Sequence, residues 1–400
     1  MTTEQPKSPP PLVGVRVLDA THIVAGPFCS MILADMGAEV IKIERPVSGD
    51  LSRGRGPFIK GDDGKEVSSR FLGVNRNKKS VTLDLRDPKC KEIFENLIRE
   101  SDVLLDNWGS GAFQRLGLGY DRLKEINPGL IYASITGYGD SDGLHGPYSA
   151  WPANNLSIQG MAGWMELTGD PDGAPQGVGD NVGDSVPGLW TALGIVLALE
   201  SRRKSGVGQY VDMGMYECLV SHTISQMNSF QATGENPGRS RDRMATAGLT
   251  FKAKDGYVVM AGVRSESRLK AMWKLVGRED LAEDPRYLGH GADGDFWFQK
   301  VVPAIEEWSQ GLSKWEVAGR LTEIGLSMGV AQTIGDLAQC PHLEARDMFV
   351  ETGDQMDGRF RSLKTPIRLT GCEDLPAETP PELGEHNQAI LCGIGGLKPE

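Results

Sequence analysis

The sequence predicts an α/β protein in two parts: a large domain built on a parallel sheet, then a smaller α+β domain. Three observations predict it. First, Arg16-Val17-Leu18-Asp19 and Glu39-Val40-Ile41-Lys42-Ile43-Glu44 read as strands on either side of a helical stretch. In that stretch Phe28, Met31, Ile32 and Met36 recur at helical spacing until Gly37 stops them, after a loop over residues 21–27. A strand–helix–strand unit of this length implies a parallel pair with a right-handed crossover. Second, the alternation continues. Strand patterns stand at residues 80–85, 103–105 and 130–135, and Asp87-Pro88 opens a helix whose apolar stripe is Ile93, Phe94, Leu97 and Ile98. Third, the composition changes near Phe230. A polar, basic stretch over 236–243 precedes a hairpin pattern over 251–262, with Asp255-Gly256 at its turn. Helical signals then run over 264–325, through Met272, Trp273, Leu275, Val276, Val302, Ile305 and Trp308.

These shifts divide the chain into a flexible tail (1–11), a large domain (12–228), a linker and small domain (229–330) and a closing segment that returns to the large domain (331–400). The net charge of −12 argues against nucleic acid as a general partner, and obliges any anionic ligand to find a local cationic patch. No uninterrupted apolar run reaches the ~18 residues of a membrane span. The polar, Pro-rich start has neither a signal-peptide nor a transit-peptide pattern, so a cytoplasmic location without membrane attachment is expected. The six cysteines and six histidines lack metal-ligand spacing, and no metal is expected. The loop after the first strand holds one glycine rather than G-x-G-x-x-G, so no NAD site is expected there.

The most informative stretch is Gly183-Asp184-Ser185-Val186-Pro187-Gly188, which leads into an apolar run over 189–199 and then Glu200, Arg202, Arg203 and Lys204. This is a buried helix with a cationic last turn that suits its dipole and Gly206 as a stop. Proline favours a first turn, so the helix should begin within residues 184–187. Asp184 then reads either as an N-cap or as a nucleophile able to form an acyl intermediate. Its immediate surroundings in the sequence do not separate the two.

Asp184 precedes Gly206, in Ser205-Gly206-Val207-Gly208-Gln209, by a helix length, and Asp212-Met213-Gly214-Met215-Tyr216-Glu217 follows. In this pattern the chain resembles the class III CoA-transferases, the CaiB/BaiF family of formyl-CoA, carnitine and bile-acid CoA-transferases. The resemblance spans residues 12–225, with weaker echoes over 340–392. It implies a Rossmann-like large domain, an interlocked homodimer, acyl-CoA and a free carboxylic acid as substrates, coenzyme A as co-substrate, and Asp184 as the residue that attacks the thioester. It also implies that His22, Ile23, Val24 and Ala25 line the CoA and acyl pocket and that Arg45 contacts the nucleotide end. Leu83 and Arg86 fall at adenine and phosphate positions, Asn107, Trp108 and Arg115 at the next strand end, and Tyr138 near the acyl group. Backbone N–H groups over 137–139 are candidates for an oxyanion site. The basic cluster Asn75-Arg76-Asn77-Lys78-Lys79 reads equally as a solvated turn or a ligand contact.

Two other functions share these features. An acyl-CoA racemase or epimerase of the same fold needs a histidine where this chain has Trp151-Pro152-Ala153-Asn154-Asn155. One subunit of a heteromeric CoA-transferase, with a different partner chain, is the other. Val24 replaces a frequent family glutamine and the small-domain hairpin lacks a glycine-rich loop, which points away from formate or oxalate. Val24 and Trp151 favour an apolar-bodied acid, and Arg239, Arg241 or Arg243 offers either a contact for a second carboxylate, as in a dicarboxylic acid, or a solvated linker.

Overall fold

In the computed structural model the described residues are 7–61, 64–141, 143–242, 244, 248–261, 265–351 and 360–397. Arg243, Gly262 and residues 1–6 therefore lie outside them. The chain forms two compact units: residues 1–164, 177–228 and 343–400 make the first, and 165–176 with 229–342 the second.

The first unit is organised on six strands: β1 (Arg16–Ala20), β2 (Glu39–Glu44), β3 (Lys78–Thr82), β4 (Val103–Asp106), β5 (Ile131–Thr136) and β6 (Tyr210–Gly214). Every pairing is parallel and the spatial order is β3-β2-β1-β4-β5-β6. β4 and β5 are buried along their whole length, as a sheet covered on both faces requires. Alternate side chains point to opposite faces. Val17, Val40, Val103, Leu105 and Ala133 pack under α1 (Ala25–Asp35), α3 (Asn155–Met161) and α4 (Val182–Ser205). Leu18, Ile41, Leu104 and Tyr132 pack under α2 (Pro88–Arg99) and under α8 (Asn387–Gly393) of the closing segment.

The closing segment covers the edge of the sheet. His386 Nδ1 accepts from Ser80 N and Asn387 Oδ1 from Thr82 N, so two β3 edge donors are bonded by side chains instead of being left open. β3 also begins two residues earlier than the pattern at 80–85 suggests, within the basic cluster. The reason is that its cations are consumed internally: Arg76 pairs with Asp35, Lys78 with Asp19 and Lys79 with Glu39. At the start of the described chain, Ser8 N donates to Gly371 O and Pro10 and Leu12 are buried, so the polar start is tied down from Ser8 onward.

The second unit is α+β. The antiparallel sheet of β7 (Gly248–Ala253), β8 (Gly256–Ala261) and β9 (Met328–Val330) has the order β9-β8-β7. α5 (Glu266–Val276), α6 (Val302–Ser309) and α7 (Lys314–Glu323) supply its helices. Phe251, Val258, Met260, Met272, Trp273, Ile305 and Leu321 form one core. The hairpin loop is Lys254-Asp255, with Gly256 already paired to Ala253, one residue earlier than the sequence suggests.

Candidate active site

β1 and β4 are neighbours and Ala20 stands opposite Asp106, so the segments leaving their carboxyl ends meet where the strand order reverses. Open α/β sheets bind ligands in that crevice. Thr21, His22, Arg45, Asp50, Trp108 and Ala112 line it.

The loop after β1 is held by side chains from several directions. The Lys42 ammonium donates to Thr21 O at 2.9 Å. His22 N donates to Asn107 Oδ1 at 3.0 Å, and Asn107 Nδ2 donates back to His22 O at 2.9 Å. Ile23 N donates to Asp50 Oδ1 at 3.1 Å, and Ile23 has φ of 71°, a conformation costly for a β-branched residue. The Trp108 indole donates to Ala20 O at 2.6 Å, and the Arg45 guanidinium lies over its ring, 5.7 Å from the centroid. Burial lowers the pKa of His22 from its ordinary value, which favours the neutral imidazole near neutral pH. The predicted loop over 21–27 is shorter in the structure, because α1 starts at Ala25.

Asp184 enters from α4. The helix starts at Val182, two residues before the expected range, and its capping position is Asn181, which makes no side-chain cap bond. Asp184 is therefore a first-turn residue rather than the N-cap, and Pro187 sits inside the helix in its second turn. The start is braced by α3: Asn155 Oδ1 accepts from Gly183 N at 2.8 Å and from Gln159 Nε2 at 2.9 Å. A side chain at Gly183 would meet Asn155 O, and one at Gly188 would fall 2.5 Å from Ala25 O. The two glycines let α4 approach both neighbours closely. Asp184 thus stands about one turn before the contact with Ala25, which directly follows His22–Val24. Its carboxylate is half-buried with no hydrogen-bond donor among the described residues, and burial raises its pKa to about 6.

Tyr138 is buried at the end of β5 against Tyr148, Trp151 and Tyr216, with ring centroids 5.8, 6.4 and 5.7 Å away. Trp151 is 53% exposed, so one side of this aromatic group is open. Gly139 N donates to Thr136 Oγ1 at 2.9 Å, so its N–H is already used and does not serve as an oxyanion donor.

The other residues singled out from the sequence are placed differently. Arg115 is exposed, with one guanidinium nitrogen on Ser110 O. Arg86 is exposed and makes a two-pronged pair with Asp84. Leu83 is buried in the core among Ile43, Val81 and Leu85. In the second unit Arg241 is held by Asp172 and Asp295, and Arg239 donates to Met165 O. Arg241 is thus committed to carboxylates of its own chain. Asp50, which lines the crevice, and the buried Lys42 and Asp19 bonded to the loop after β1 escape the sequence reading. Their one local signal is Asp50-Leu51-Ser52, the pattern in which Asp50 accepts from Ser52 N at 2.8 Å.

Comparison with known proteins gives the class of this chain. Residues 12–387 match the model of CoA-transferase family III. The chain is 34% identical over 384 residues to a succinyl-CoA:mesaconate CoA-transferase of Haloarcula marismortui, covering 95% of this chain and 96% of that one. It is 35% identical over 412 residues to a formyl-CoA:oxalate CoA-transferase of Streptomyces coelicolor, covering 97% and 96%. Among solved structures, a CaiB/BaiF family protein from Brucella suis superimposes with a TM-score of 0.86 at 32% identity, over 97% of this chain and 100% of that one. The chain belongs to CoA-transferase family III. It is a CoA-transferase that uses acyl-CoA thioesters and carboxylic acids as substrates.

Proposed function

We propose that the enzyme moves CoA from an acyl-CoA to a dicarboxylic acid with a hydrocarbon body, through covalent intermediates on Asp184. The carrying observation is the Asp184 carboxylate in the first turn of α4, half-buried and without a donor among the described residues. The carboxylate attacks the donor thioester carbonyl, the C–S bond breaks, and CoA leaves as thiolate from a mixed anhydride. The thiolate attacks the aspartyl carbonyl, giving aspartyl-CoA thioester and free donor acid. The acceptor carboxylate attacks that thioester and releases the thiolate, which then attacks the acceptor acyl carbon and frees Asp184. Poor solvation favours this attack, because the group gives up little hydration to become a nucleophile.

The dicarboxylic reading draws on relatives named for mesaconate, oxalate and, in Agrobacterium fabrum, succinate and glutarate. Val24 and the open face of Trp151 favour a hydrocarbon body, because a polar group left unpaired there costs ~1–3 kcal/mol. A competition panel tests it: formate, oxalate, succinate and branched dicarboxylic acids against one acyl-CoA donor. Preference for a substituted succinate supports the proposal, and preference for formate or oxalate overturns it.

A homodimer belongs to the same proposal. In the single chain α4 leaves Leu189, Trp190, Leu193, Val196 and Leu197 38–60% exposed. By length and composition this helix also passes for a membrane span, although no uninterrupted apolar run in the sequence reaches that length. A second copy of the chain covers that face in the assembly we propose.

A further inference from the structure

We propose that Asp50 is a positioning residue that locks Ile23 in its left-handed conformation and so presents the loop after β1 to CoA, an inference that rests on the crevice being the CoA site. Asp50 is itself buried. Its Oδ1 accepts from Ile23 N, Ser52 N and Ser52 Oγ, and its Oδ2 faces the Lys42 ammonium at 2.8 Å. Lys42 is fully buried, donates to Thr21 O and lies 3.9 Å from Asp19. Asp19 in turn takes bonds from Thr21, Ser30 and Lys78. Thr21 N, Thr21 O and Ile23 N are thus each bonded by a buried side chain: Asp19 of β1, Lys42 of β2 and Asp50 of the loop after β2. Strained backbone persists only where its surroundings over-determine it.

The same residue is also joined to Glu44, which lines the crevice. Asp50 N donates to Glu44 Oε2 at 2.9 Å, and Glu44 is held by both prongs of Arg53. Arg45 follows Glu44 directly. Asp50 therefore holds Ile23 N through its carboxylate and the Glu44 side chain through its own N–H, and His22 and Arg45, the neighbours of those two residues, both line the cleft. Asp50 need not touch substrate to do this. It sets the turn that lets His22, Ile23 and Val24 face the ligand before α1 begins.

Outside glycine, the left-handed conformation is costly enough that losing the lock should depopulate it about tenfold. A glycine at position 23 adopts it freely. Asp50→Ala, which removes the acceptor of Ile23 N, should therefore weaken binding of free CoA, read by calorimetry, roughly tenfold, and adding Ile23→Gly should recover most of that loss. Arg45→Ala is the control for the crevice itself. If Arg45→Ala weakens CoA binding while Asp50→Ala does not, or if the double variant binds no better than Asp50→Ala alone, the positioning role is overturned and the crevice stands. If neither single variant changes CoA binding, both are overturned. Asp50→Glu, which keeps the charge facing Lys42 but displaces the acceptor from Ile23 N, carries the same comparison should Asp50→Ala not fold.

Discussion

At the residue scale, the proposed chemistry turns on one carboxylate, Asp184, whose pKa is raised by burial. Asp184 titrates near 6, so its nucleophilic form is lost as pH falls through that value. The dependence of kcat/KM on pH should be flat above about 7 and fall about tenfold per unit below 6. A flat profile down to pH 5 would contradict an ionised Asp184 as the attacking group. The sign for stability is opposite. The folded chain holds this proton more tightly than the unfolded chain does, so the contribution of this one group to stability is full at low pH and is lost as pH rises from about 4 to about 6. Asp184→Asn should therefore be more stable than wild type at pH 8, by at most ~3 kcal/mol, with no gain at pH 4. Chemical denaturation at the two pH values measures this. At the cationic side of the cleft, Arg45→Ala should raise KM for acyl-CoA several-fold more than KM for the free acid, since only the CoA half carries phosphates. Equal effects would place Arg45 elsewhere. The place of Asp184 near a helix start is legible in the sequence because a buried helix follows it, whereas its proposed role rests on the family resemblance. Asp50 is not legible, because its partners come from two places, Ile23 after β1 and Lys42 and Glu44 in β2, and meet only when β1 and β2 pair.

At the element scale, α4 is placed by two glycines. Gly188→Ala would put a methyl group on the Ala25 carbonyl and push α4 off α1. Thermal unfolding should show a loss of about 1–3 kcal/mol, as overpacked contacts do, together with a fall in kcat, because Asp184 rides on the same helix. A folded variant with unchanged stability and kcat would mean that the contact does not fix the nucleophile. Strand and helix patterns mark most of the elements that carry the site, since their periods are local. Their ends are less legible. The start of α4 is missed because Asn181 makes no side-chain cap, and the start of β3 is hidden because Lys78 and Lys79 read as solvated until Asp19 and Glu39 arrive from other strands. The hairpin turn slips by one residue because Asp255-Gly256 resembles a two-residue turn, while Gly256 is already paired with Ala253.

At the scale of the whole molecule, the chain leaves the first unit twice and returns to it twice, and its last segment covers the open edge of β3. Composition shows the change near Phe230, but not that residues 165–176 belong with the second unit, because nothing in that short loop sets it apart locally. Light scattering at micromolar concentration should give about twice the 43.3 kDa chain mass, since the exposed face of α4 needs a cover. A monomer would contradict the homodimer. The central claim, that CoA passes through Asp184, is tested most directly by peptide mass mapping after the enzyme is incubated with acyl-CoA and hydroxylamine. A hydroxamate on the Asp184 peptide, absent from Asp184→Ala, is the predicted result. A wild-type peptide of unchanged mass under turnover, or an alanine variant that still transfers CoA, would contradict it.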